Sequence, residues 1–386
     1  MKINHNHVNI FYMNENYYID KNYLDSEQFK KNFEKLVNFF QGKRVILFGK
    51  DDIDFIKSKC DLSRINFLGI YDPDFSSDMV NDNYKGYKIL SKTLVELLNP
   101  DYILDMCLYK YKFITNYNDN KIEMKNFLSF FSDVDKPQIP YIETNITNHC
   151  NLNCKYCFSF SPLVSEDFAD LEQYKKDISE LSKKVDIYVI RLLGGEPLLN
   201  KRINEFIEVT RKGFPCANIA ILTNGILLPA MKEDFWKCCI DNNIRIDISL
   251  YPGVSDKHQE YIDVLKKYNL LGDVHKVTTF INLALSEAQV NDDIEDIYEK
   301  CRIKLCKSLR NGKLYNCKIN SCVHYFNNYF NKNVPQKDGI DIYKNDGKSI
   351  LKKLHEKIEL CKYCNIEKRK VHTWSLTNKE ISEWFQ

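Results

Sequence analysis

The sequence predicts an α/β protein: a partial (β/α)6 barrel of TIM-like form, preceded by a small parallel-sheet domain and followed by a cysteine-rich extension. Three observations predict it. Apolar strands alternate with amphipathic helices through two stretches, 43–110 and 141–282, and crossovers of helix length join parallel strands right-handedly. The unusual residues of the second stretch fall at the ends of its strands, where barrels and open parallel sheets gather their chemistry. Nine of the fourteen cysteines stand in one tight triad and one C-terminal group.

Taken in order, residues 1–42 form a polar N-terminal segment with no apolar h-region, unlike a secretory signal. Residues 43–115 read as a domain. "KRVILFGK" is a strand, "DDIDFIKSKCDL" has helical spacing, "INFLGIYD" is a second strand, and "GYKIL" a third. "SKTLVELLN" is a helix started by a Ser cap, and "PDYILDMC" is a fourth strand. The block resembles the Rossmann-like domains that accompany sugar-modifying and transferase enzymes. Its first turn, "FGKDDIDF", has only Gly49 where a dinucleotide site wants G-x-G-x-x-G, and Asp51 and Asp52 would repel phosphates. Docking or substrate presentation is the reading taken, with nucleotide binding as the alternative. Residues 116–139 are expected to be a connecting helix and a Pro-containing linker.

The core is expected over 140–290. Its strands are "YIETNIT", "VDIYVIRLLGGEP", "ANIAILTNG", "IRIDISLYP" and "HKVTTFIN". Helices are expected at 168–184 and near 201–212, 231–242 and 256–268. The count is five or six strands, short of a closed barrel of eight. The extension takes 291–386.

Composition narrows the function. The chain is 44% hydrophobic and 28% charged, enough for a core under a soluble surface, and its formal net charge is +2. That balance argues against a nucleic-acid-holding protein. No apolar run reaches membrane-span length, so no membrane role and a cytoplasmic location are expected. Cytosolic cysteines are reduced, which points to metal ligation. Cys60, Cys107, Cys216, Cys238 and Cys239 stand among aliphatic or helical neighbours and read as packing residues.

"HCNLNCKYCFSF" places Cys150, Cys154 and Cys157 as C-x3-C-x2-C at the end of the first core strand. A closed [4Fe–4S] cluster takes four thiolates; three leave one iron open for a ligand. Zinc would be the rival for the triad alone. "LLGGEPLL", "ILTNG" and "ISLYP" follow at the next three strand ends, and with them the sequence resembles the radical SAM enzymes. The resemblance implies a [4Fe–4S] cluster on Cys150, Cys154 and Cys157, whose open iron binds S-adenosylmethionine. It implies cofactor contacts by Tyr156, by Gly194, Gly195, Glu196 and Pro197, by Thr223 and Asn224, and by Ser249. Reductive cleavage then yields a 5′-deoxyadenosyl radical, with electrons from a flavodoxin- or ferredoxin-type donor.

In the extension, "CRIKLCKSLRNGKLYNC" and "ELCKYC" resemble a twitch domain, the half-length relative of SPASM, which implies one auxiliary [4Fe–4S] cluster. The candidate ligands are Cys301, Cys306, Cys317, Cys361 and Cys364, with Cys301 and Cys306 competing for one place and Cys322 spare or able to stand in. His149 reads equally as a cluster neighbour or a structural residue, and Glu143 as pointing into the barrel mouth. Two substrate classes stay open: a small molecule, such as a sugar or nucleotide-sugar undergoing dehydrogenation, epimerisation or deoxygenation, and a peptide or protein.

Overall fold

A computed structural model describes residues 10–13, 16–19, 27–50, 53–54, 57, 60–72, 75–106, 123–126, 136–215, 217–253, 255–290 and 293–386. The chain divides into two compact units, Met1–Asp135 and Lys136–Gln386. No described helix is long and apolar enough to cross a membrane.

The first unit is built on four parallel strands: β1 (Val45–Phe48), β2 (Phe67–Tyr71), β3 (Tyr102–Asp105) and β4 (Glu123–Asn126), in the order β2-β1-β3-β4. All four residues of β1 are buried, as expected of a central parallel strand covered on both faces. On one face α1 (Glu27–Phe40) lays Phe33, Leu36, Val37 and Phe40 on Val45 and Leu47. On the other, α2 (Lys92–Leu98) packs Val95 against Ile46, Phe48 and Ile103. Ser91 caps α2, its Oγ accepting from Leu94 N at 3.2 Å.

Two expectations for this unit change. "GYKIL" adds no strand to the sheet: Tyr87–Lys88 form a short hairpin with Asn83–Tyr84, and Ile89 makes only a bridge to Ile70. Within the expected linker, residues 123–126 are strand β4, where a helix was anticipated. The helical reading of 51–62 falls largely outside the described residues, as do Cys107, Cys216, Asp51 and Asp52. At the end of β1, Lys50 N donates to the Asp72 carboxylate at 2.9 Å, so a backbone donor that could face a phosphate is already engaged.

The second unit carries one eight-stranded sheet. Five parallel strands run in order: β5 (Gln138–Thr147), β6 (Asp186–Gly194), β7 (Asn218–Thr223), β8 (Arg245–Leu250) and β9 (Gly272–Lys276). Their crossovers contain α3 (Leu171–Lys184), α4 (Ile203–Gly213), α5 (Glu233–Asp241) and α6 (His258–Lys267). Strand alternation turns Ile142, Ile146, Ile190, Leu192, Ile246 and Ile248 into the core shared with these helices. The same alternation leaves Tyr141, Glu143, Asn145, Arg191, Asp247 and Ser249 on the opposite face.

The fifth expected strand, 275–282, is shifted. β9 ends at Lys276, and β10 (Thr279–Ile281) leaves the sheet to pair antiparallel with β14 (Val371–Thr373). The sixth parallel strand comes from the extension. β11 (Ser308–Arg310) pairs parallel with β5, and β12 (Lys313–Tyr315) and β13 (Ile340–Asp341) continue the sheet antiparallel. The sheet therefore runs across the boundary expected at 290. Asp177 of α3 holds this edge, accepting from Gly312 N at 2.7 Å and from Tyr343 OH at 2.6 Å. Beyond it lie α7 (Ile294–Lys300), α8 (Lys318–Phe330) and α9 (Gly347–Leu354). α8 anchors a second core with Phe160, Leu285, Leu360 and Trp384.

Candidate active site

β5 delivers the chain into the loop that carries the triad. Leu152 N donates to Cys150 Sγ at 3.4 Å, and Trp374 Nε1 donates to Cys154 Sγ at 3.2 Å. Cys157 Sγ is approached by the backbone N–H groups of Ser159 and Ser161. Cys150 and Cys154 each lie within electrostatic reach of Cys157, and Tyr251, just past β8, within reach of all three. Burial pushes the Cys150 and Cys154 thiols up to about 12 and raises Cys157 as well. Without a cation the thiolate form is disfavoured; bound iron would supply the compensating charge these three thiols need to ionise. Three soft sulfurs in one loop, each met by an N–H donor, fit an iron–sulfur group. Among the described residues, no three His, Cys, Asp or Glu side chains converge on the geometry of a single bound ion.

Gly194 and Gly195 sit where β6 ends against this loop. A Cβ on Gly194 would come within 3.0 Å of Thr147 O, and one on Gly195 within 3.0 Å of His149 O and Cys150 N. Gly195 N donates to Thr147 O at 2.9 Å and Glu196 N to His149 O at 3.1 Å. The close approach that demands glycine here is between two strand ends, with the cysteine loop laid directly over β6. That is a different reason from a ligand's approach.

Glu196 is wholly buried. Its Oε1 accepts from Thr223 Oγ1 at 2.6 Å and Leu198 N at 3.0 Å, and its Oε2 from Asn224 N at 2.9 Å. Burial outweighs these three donors and lifts the carboxyl to about 7. Thr223 Oγ1 also accepts from Gly225 N at 3.0 Å. Both expected cofactor-binding side chains are thus turned into the protein, where they tie the end of β6 to the end of β7. Pro197 starts a buried 3-10 turn, Pro197–Leu199, that completes this corner. Asn224 alone of this set faces the triad, its Nδ2 2.8 Å from Asn151 Oδ1 and 3.8 Å from Cys150 Sγ.

Ser249, next to last in β8, has its Oγ 3.1 Å from His275 Nε2. Tyr156 adopts a left-handed backbone, φ 64°, and its ring lies on His372 at 4.5 Å. His149 is structural in its contacts: Nδ1 accepts from Asp167 N at 3.0 Å, and the ring meets Phe168 edge-on.

Below the strand ends the inner face is charged. Glu143 accepts from Tyr141 OH at 2.9 Å and pairs with Lys318 Nζ at 3.3 Å. Lys318 also bonds Asn145. Arg191 and Arg245 flank Asp247 at 3.5 and 2.6 Å. Both Glu143 and Lys318 are buried.

The C-terminal cysteines separate cleanly. Cys301, Cys317, Cys361 and Cys364 lie within electrostatic reach of one another and share one apolar core. Cys306 does not join them. Its thiol is hydrogen-bonded with Glu143, and burial together with that carboxylate holds it well above its ordinary value. The reason is local: the 3-10 turn Arg302–Leu305 carries the chain from Cys301 to the sheet edge, so Cys306 reaches the inner face. Cys322, expected to be spare or to stand in as a ligand, is buried in α8 within reach of Cys157. Cys60, Cys238 and Cys239 are buried in apolar cores.

Several site residues carried no sequence signal. Tyr251 lay in the quoted "SLYP" without a role, and Lys318 follows Cys317 without a motif. Trp374, Trp384 and His372 come from a tail with no recognisable pattern.

These are the parallel βα strands of a partial barrel with a three-thiol loop at the end of β5, the arrangement of an iron–sulfur enzyme that leaves room for a ligand. Residues 144–328 match the Radical SAM superfamily, so this part of the chain carries a radical SAM domain. The family's cofactors are a [4Fe–4S] cluster and S-adenosylmethionine. A GTP 3',8-cyclase of Alkaliphilus oremlandii is 32% identical over 183 residues, covering 43% of this chain and 54% of that protein. One of Clostridium acetobutylicum is 34% identical over 170 residues, 40% of this chain and 51% of that protein. The chain spans about half the length of the curated relatives it matches. Among solved structures, BtrN in complex with AdoMet and 2-DOIA aligns with a TM-score of 0.38 at 22% identity, covering 60% of this chain and 94% of that one. Streptococcus suis SuiB bound to S-adenosylmethionine aligns at 0.29 and 13%, covering 58% and 72%.

Proposed function

We propose that the protein uses the 5′-deoxyadenosyl radical from S-adenosylmethionine to take a hydrogen atom from a small polar molecule, a sugar or nucleotide-sugar in class, leading to dehydrogenation, epimerisation or deoxygenation. The observation that carries this reading is the convergence of Cys150, Cys154 and Cys157, each with an N–H donor on sulfur, at the C-terminal end of β5. When bound, the cluster and S-adenosylmethionine supply the 5′-deoxyadenosyl radical that takes a hydrogen atom from substrate. Cys150, Cys154 and Cys157 are the ligands. Asn224 and Ser249, at the ends of β7 and β8, are the polar side chains left to orient the cofactor, with Tyr156 beside it.

Cys301, Cys317, Cys361 and Cys364 are proposed to hold one auxiliary cluster, and Cys306 is left out of it. The small-molecule reading is supported by the inner face. The Glu143–Lys318 and Arg191–Asp247 pairs make that face polar within a few residues of the strand ends, a surrounding suited to a compact ligand rich in hydroxyl or phosphate groups. The electron donor is expected to be of flavodoxin or ferredoxin type.

The test is anaerobic reconstitution with iron and sulfide counts and an assay for 5′-deoxyadenosine. Wild type should hold about eight irons, the Cys150/Cys154/Cys157 triple Ala variant about four, and Cys306→Ala still about eight. Deoxyadenosine should form only where the triad is intact. Deuterium transfer into deoxyadenosine from a deuterated sugar nucleotide would establish the substrate class. Transfer from a peptide alone would replace it with peptide modification.

A further inference from the structure

The C-terminal residues 371–386 fold back over the cysteine loop. Lys155 N donates to Ser375 O at 3.0 Å, Thr377 N donates to Asn153 O at 3.0 Å, and Cys154 forms an antiparallel bridge with Leu376. Trp374 N donates to Thr278 O at 2.8 Å, and its ring packs 5.9 Å from that of Tyr251. The segment is anchored beyond this point by Trp384, wholly buried, whose Nε1 donates to Cys157 O at 3.0 Å. These contacts hold Trp374 from both sides and aim its indole N–H at Cys154 Sγ, 3.2 Å away.

We propose that Trp374 is a positioning residue for the triad. Its indole N–H donates to the Cys154 sulfur and raises the reduction potential of the iron–sulfur group held there. Reduction adds one electron, and so negative charge, to a group whose sulfurs carry much of it. A donor fixed on one ligating sulfur stabilises the reduced state more than the oxidised one. Indole is suited to this because it donates and cannot accept, so it cannot turn a lone pair on the sulfur. Half-burial keeps competing water from that face of the sulfur. The inference rests on the triad holding a cluster, as proposed above.

The experiment uses full-length, anaerobically reconstituted wild type, Trp374→Phe, Trp374→His and Cys154→Ala. Iron and sulfide are counted. The reduced-cluster EPR signal that changes when S-adenosylmethionine is added is followed through a redox titration, the electron coming from the chemical reductant. Trp374→Phe keeps an aromatic ring and lacks the N–H. It should retain the iron count, while its midpoint moves to a more negative potential. Trp374→His, whose ring N–H can donate, should recover part of that shift. An unchanged midpoint in Trp374→Phe overturns the proposal. So does loss of triad iron in both variants, which marks a packing role only. Equal iron in wild type and Cys154→Ala overturns the cluster assignment itself, and this inference with it.

Discussion

Gly195 and Glu196 stand side by side and fail in different ways when altered. Gly195→Ala would drive a Cβ into the backbone of His149 and Cys150, atoms that cannot rotate away. The expected cost is about 3 kcal/mol or more, with a matching loss of triad iron; thermal melting and iron analysis check both. Glu196 is a pH-dependent element. Burial raises its folded pKa from 4.5 to about 7, so between those values the folded state binds more protons than the unfolded one. Its contribution to stability is full below about pH 4.5 and declines as pH rises through 7. Urea midpoints of the apo protein should therefore fall less steeply between pH 5 and 7 in Glu196→Gln than in wild type. The cysteine spacing and the "GGEP" run were readable at this scale because they are contiguous in sequence. The direction in which Glu196 and Thr223 point was not, because it depends on Leu198 N and Asn224 N arriving from two different strand ends.

Helices α3 to α6 were visible in the sequence to within about three residues, because an amphipathic stripe is a local pattern that needs only one apolar neighbour. β11 was not. It is three residues long, and its partner β5 lies some 165 positions away in the chain. Helix α8 shows what such an element adds. Its first turn brings Lys318 to Glu143 across the inner face, with both side chains buried. Lys318→Met should leave a buried unpaired carboxylate and cost about 3–5 kcal/mol. Lys318→Met combined with Glu143→Gln should cost less than Lys318→Met alone. Chemical denaturation of the four proteins in a double-mutant cycle checks the sign. On α3, Asp177→Ala should remove the acceptor for Gly312 N and Tyr343 OH. A loss of about 1–3 kcal/mol is expected, with faster hydrogen exchange confined to the β11–β12 hairpin.

The molecule has two units with separate hydrophobic cores. All the candidate ligands lie in the second. Calorimetry should show two transitions, of which iron reconstitution raises only one, since a ligand stabilises only the structure that binds it. The same transition should fall when residues 371–386 are removed, because Trp384 leaves the centre of the core that surrounds the thiols. A single transition that moves as a whole would show the two units to be one cooperative body.

The sequence by itself determined the radical SAM domain, the parallel βα repeat and the spacing of the three cysteines after its first strand, because those depend on short-range spacing and on alternation along one segment. It also placed the auxiliary cysteines as a group. Which of Cys301 and Cys306 stands beside Cys317, Cys361 and Cys364 is set only by tertiary structure: a single 3-10 turn separates them, and the fold sends Cys301 towards those three thiols and Cys306 to Glu143. The Trp374 indole on Cys154 was likewise decided only there, across 220 residues of chain. Contacts of that range are set by which surfaces pack, and no local pattern in the chain encodes them.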